Sequence, residues 1–274
     1  MMKKLKINKA TVLVMVLVVL GVAGYFAFRT STRPNLASQR YWIFGKSALN
    51  DVAVSSQALQ SLKNDTIYLI DNSSKPISSQ ATSFKIVPTD YFTSEAQFAA
   101  AISNNTIPAN TKAILYDNEH WSLTPVIEQQ NPVAYYQKAF NLAHAHGYVF
   151  IATPSPSSLV PRIAQYADVV DIQAQSVQAT PSDYASHVLP YANQARSINH
   201  QLIILSGLST NPRAGVPTPS QLVNDVNAVS PTVQGYWLNI PAKPAICLTN
   251  PSLKGGRCQG PQPQVAIDFL SLLK

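Results

Sequence analysis

The run Ala113-Ile114-Leu115-Tyr116-Asp117-Asn118-Glu119-His120-Trp121 points to an α/β barrel. Its apolar first half reads as a buried strand, and the strand breaks off into two carboxylates spaced two apart. Residues two apart on a strand share a face, so Asp117 and Glu119 are expected together at the strand's mouth. The C-terminal ends of parallel strands are where α/β barrels place their chemistry.

Similar apolar runs recur on both sides of this one. They are Tyr41 to Phe44, Thr66 to Ile70, Phe84 to Val87, Val149 to Ala152, Val169 to Ile172, Leu202 to Leu205 and Gly235 to Leu238, which makes eight strands in all. Between them stand helix starts: Asn131-Pro132, Thr180-Pro181 and Thr218-Pro219 each pair a capping side chain with proline in the first turn. Ser94 with Gln97 suggests a capping box, and Gly147 ends the helical spacing that runs on from Val133. Eight strands alternating with helices over residues 41–274 predict one (β/α)8 TIM-type barrel, with an open doubly wound sheet as the competing architecture. No glycine-rich phosphate loop follows any of the strands, so nucleotide binding is not expected.

The barrel is expected to follow a membrane anchor. Lys3, Lys4, Lys6 and Lys9 precede an uncharged stretch from Ala10 to Phe28, whose length as a helix, about 28 Å, spans a bilayer core. The reading is a cytoplasmic N-terminus over residues 1–9, one N-terminal transmembrane helix over 10–28, a linker over 29–40 and an extracytoplasmic barrel. The lysines before the span set that orientation. Cleavage of the segment as a signal peptide, which would make the protein secreted, is the alternative. The formal charge of +7 comes wholly from residues 1–40, since the remainder balances. The barrel sequence nets zero charge and shows no basic patch or RNA-binding motif, so nucleic acid is not expected as a partner.

Cys247 and Cys258, eleven apart, are expected to form a disulfide in an oxidising compartment, with two unpaired thiols as the other possibility. With no histidine or further cysteine at ligand spacing, neither a metal nor another cofactor is expected. His144 and His146 read as structural residues near a helix end.

Strand alternation fills in the rest of the rim. Asp171, Gln173 and Gln175 share a face, as do Trp237 and Asn239, and the seventh strand leads into Ser206. With Trp121 these residues make a set of amides, hydroxyls, carboxylates and indoles suited to a carbohydrate ligand. A glycosidase needs an acid to protonate the leaving oxygen; Glu119 is the candidate, with Asp117 raising its pKa or orienting a substrate group.

At Asp117, Glu119 and Trp237 the chain resembles the chitinase-type glycoside hydrolases, family 18, or a related glycosidase-like barrel. That family carries D-x-E at the end of its fourth strand and a tryptophan on its eighth. The resemblance implies that Glu119 is the proton donor, that Asp117 positions a substrate acetamido group acting as nucleophile, and that Trp237 floors the sugar site. Lys112 and Leu115 stand where the family's longer motif has aspartates, and Gln173 and Gln175 lie nearest its Tyr-Asp pair. The same rim would also serve a non-catalytic barrel of the cell envelope that binds glycan or protein. A scaffold for envelope assembly is a third possibility, and it predicts an exposed apolar patch instead of a polar cleft.

Overall fold

The computed structural model describes residues 39–178, 180–244, 247 and 256–273, with the side chains of 256–257 left aside. The proposed membrane segment lies outside the described residues, and no helix among them is long and apolar enough to cross a membrane.

Eight parallel strands close into a barrel in sequence order. They are β1 (Tyr41–Gly45), β2 (Thr66–Ile70), β3 (Lys85–Phe92), β4 (Ala113–Tyr116), β5 (Val149–Ala152), β6 (Val169–Ile172), β7 (Ile203–Ser209) and β8 (Gly235–Asn239). Around them run α1 (Lys46–Val52), α2 (Ser56–Leu62), α3 (Glu95–Ser103), α4 (Val126–Gln130), α5 (Pro132–Ala145), α6 (Val160–Ile163), α7 (Pro181–Ile198), α8 (Pro219–Val229) and α9 (Pro263–Leu272). The β2–β3 connection departs from the pattern, carrying a 3-10 turn at Ser79–Ala81 in place of an α-helix.

The helix starts follow from local chemistry. Thr180 accepts from the Asp183 backbone N–H to open α7, and Thr218 forms a reciprocal capping box with Gln221 to open α8. Ser94 accepts from the Gln97 N–H to open α3. Asn131 precedes α5 without capping it through its side chain, so Pro132 alone marks that start.

Alternation along the strands separates two apolar clusters. Ile43, Tyr68, Ala113, Leu115, Ile151, Val169 and Leu205 point inward and fill the barrel. Trp42, Phe44, Ile114, Tyr116, Phe150, Ile204 and Leu238 point outward beneath the helices. Closure of β8 on β1 depends on Gly235, where an added Cβ would stand 1.8 Å from the Tyr41 carbonyl oxygen. At the base Asp65 ties the entry of β1 by accepting from the Arg40 N–H and the Trp42 indole, both at 2.8 Å. Cys247 and Cys258 are joined in a disulfide, with Cα atoms 5.3 Å apart.

Candidate functional site

Leu115 faces the barrel interior, so two residues on Asp117 does too, where the chain leaves β4 and the apolar filling ends. The Asp117 side chain is buried yet well satisfied. The Tyr91 hydroxyl of β3 donates to Oδ2 at 2.8 Å, the Thr153 hydroxyl beyond β5 donates to Oδ1 at 2.8 Å, and the Gln173 amide beyond β6 donates to Oδ1 at 3.3 Å. Burial nevertheless pushes its pKa up to about 7, and the neighbouring charge of Glu119 adds to the rise against the opposing hydrogen bonds.

Glu119 is half-buried, and its carboxylate makes no hydrogen bond or ion pair with any described residue. Its backbone is fixed instead. The Glu119 N–H donates to the Thr124 hydroxyl, its carbonyl accepts from the Trp121 N–H, and Thr124 donates to the Thr93 carbonyl at the exit of β3. Trp121 anchors this loop: its indole N–H donates to Thr124 at 2.8 Å and its carbonyl accepts from the Gln129 side chain.

Behind β4, on the outer face, Asn118 donates to the Tyr116 hydroxyl, which donates at 2.6 Å to the buried Glu128 carboxylate of α4. Glu128 also accepts from the Glu95 and Ala96 N–H groups, stabilising the first turn of α3. One carboxylate thus clamps the strand exit that presents Asp117 and Glu119.

Asp171 lies inward on β6, fully buried, with neither carboxylate oxygen partnered among the described residues. Burial holds its pKa well above the ordinary carboxylate range, and the charge on Asp117 pushes the same way. Its expected place among the binding residues thus meets a side chain with no exposed surface. Ser206, also expected at the rim, is buried as well. It faces outward, buried against α7, its hydroxyl 2.8 Å from that of Tyr184. The inward positions of β7 are Ile203, Leu205, Gly207 and Ser209, and a reading that ended the strand at Leu205 left that parity unresolved.

Trp237 and Asn239 stand at the C-terminal end of β8, and Gln173 and Gln175 follow the end of β6. Gln173 joins the Asp117 cradle, and the Gln175 carboxamide occupies the space that Gly207 leaves, where a Cβ would stand 2.4 Å from Nε2. Trp237, opposite Gly207 in register, and Asn239 wall a cavity of about 220 Å3 with Ile70 and Tyr91. Tyr91 therefore touches both the cavity and Asp117. Tyr91 was missed by the sequence reading, as was Asn72, which lines the same cavity. Period-two alternation through Val87, Thr89 and Tyr91 signals the first, once β3 is carried beyond Pro88. Among the described residues no cluster of acidic, histidine and cysteine side chains is arranged to hold a metal.

No protein-family model and no curated protein sequence matches the chain. Solved structures that resemble it include an active-site mutant of Rhizomucor miehei beta-1,3-glucanosyltransferase in complex with laminaritriose, at 12% identity and a TM-score of 0.45, covering 84% of this chain and 97% of that one. Another is the Bacillus megaterium spore cortex-lytic enzyme SleL, at 11% identity and a TM-score of 0.45, covering 86% and 74%. A third is the carboxyl transferase domain of Rhizobium etli pyruvate carboxylase, at 8% identity and a TM-score of 0.45, covering 85% and 46%. The barrel itself is shown by the closed ring of strand pairs.

Proposed function

We propose that this protein is a glycosidase-like barrel acting on an extracytoplasmic polysaccharide, anchored by residues 10–28 with its barrel outside the cytoplasm. The observation that carries the reading is the acid pair at the mouth of β4. One carboxylate is fixed by three donors, and the other stands two residues on with no competing partner among the described residues. Glu119 serves as general acid: its side chain is free to meet a glycosidic oxygen, while the backbone that carries it is held by Thr124. Asp117, fixed by Tyr91, Thr153 and Gln173, keeps one geometry through the reaction and orients the sugar unit nearest Glu119. The Cys247–Cys258 disulfide supports an oxidising compartment.

The test is product release by the full chain from N-acetylglucosamine and neutral-sugar polysaccharides, beside Glu119→Gln. Turnover should fall at least a hundredfold in the variant while binding persists. Equal turnover by both proteins would remove Glu119 from the chemistry.

A second reading, glycan binding without turnover, is favoured by the cavity at Trp237, whose lining includes no carboxylate. It predicts saturable binding and no product from either protein.

A further inference from the structure

The cavity between the ends of β1, β2 and β8 is walled by Trp237 and by aliphatic side chains such as Ile70 and Ile240, and no charged residue lines it. Its size suits a single ring, being smaller than the pockets that enclose larger ligands. Asn72 sits at its edge, exposed to solvent, with its amide oriented from the side of α1. The Ser47 backbone N–H, which can only donate, points at Asn72 Oδ1 at 3.1 Å, and the Ser47 hydroxyl donates to the same oxygen at 3.3 Å. The amide oxygen is thereby turned toward α1 and the two Nδ2 hydrogens away from it. Nδ2 occupies the space above Gly45, where an added Cβ would stand 2.4 Å from it, and it has no partner among the described residues. Glycine at this position thus leaves room for a pre-oriented donor at the wall of an uncharged cavity.

We propose that this cavity is a neutral-sugar subsite in which Asn72 reads an acceptor oxygen on a ring lying against Trp237. The inference rests on the glycan reading given above and names the residue that sets its selectivity. Trp237 offers the apolar face and Asn72 the directional donor, while the absence of charge in the lining disfavours acidic sugars.

Isothermal titration of the full chain with the tetrasaccharides of N-acetylglucosamine and of glucose tests it. The sugar bound more tightly names the acceptor class. Asn72→Asp keeps an oxygen toward Ser47 and replaces the donors with a carboxylate oxygen. Affinity should drop at least tenfold and the selectivity between the two sugars should shrink, with the thermal midpoint held within about two degrees. Asn72→Ser, which removes the amide without adding charge, should give the same loss. Gly45→Ala, which crowds the amide, should give a smaller one. Wild-type affinity and selectivity in the Asn72 variants would overturn the subsite while leaving the glycan reading in place. Failure of the wild-type chain to bind either sugar would overturn both.

Discussion

At the residue scale the barrel interior stores acid. Asp117 and Asp171 both hold protons more tightly folded than the ordinary carboxylate does, so the folded chain binds more protons than the unfolded one over an interval of pH. The sign follows directly. The stability these two groups contribute is full below about pH 4, the unfolded carboxylate value, and is lost as pH rises toward the folded value of about 7 for Asp117, with Asp171 extending the loss in the same sense. Denaturant unfolding between pH 4 and 8 should show this slope, and Asp171→Asn should remove a substantial part of it. A variant as pH-sensitive as wild type would mean that Asp171 does not titrate on unfolding. Asp117, Glu119 and Gln173 were legible in the sequence because carboxylates and amides follow apolar runs. Ser206 was misplaced because Leu202 to Leu205 is apolar at every position, so nothing in that run reveals which residues face inward.

At the scale of elements, the acid pair depends on packing outside the barrel. Glu128 of α4 accepts from Tyr116 of β4 and from the first turn of α3, so its loss leaves a buried hydroxyl and two backbone N–H groups unpaired. Glu128→Ala should cost about 3 kcal/mol in denaturant unfolding and lower turnover further by loosening the exit of β4. Unchanged stability would show that water replaces the carboxylate without penalty. The bounds of β2, β4, β5 and β6 match their apolar runs residue for residue. By contrast β3 runs on to Phe92 and β7 to Ser209, since their later inward positions carry Thr89, Tyr91, Gly207 and Ser209, which interrupt an apolar pattern without interrupting the hydrogen-bond ladder. Hydrophobicity marks where a strand is packed on both faces, and it fades toward the mouth, where one face becomes the site.

At the scale of the whole molecule, closure comes down to one missing methyl. Gly235→Ala would drive a Cβ into the Tyr41 carbonyl where the last strand meets the first, and a loss of about 10 °C in melting temperature is expected. Melting within two degrees of wild type would show that the seam can shift to admit it. Closure also brings the cavity beside β8 within reach of the acid on β4, through the single ring of Tyr91. Ligand and proton are thereby coupled thermodynamically. A ligand that takes up the Tyr91 hydroxyl withdraws a donor from Asp117, and the carboxylate then holds its proton more tightly. Reciprocity requires that proton uptake accompany such binding and that affinity strengthen as pH falls toward the titration of Asp117. Titrations in buffers of different ionisation heat would count that proton, and a count of zero would mean that the ring leaves the acid undisturbed.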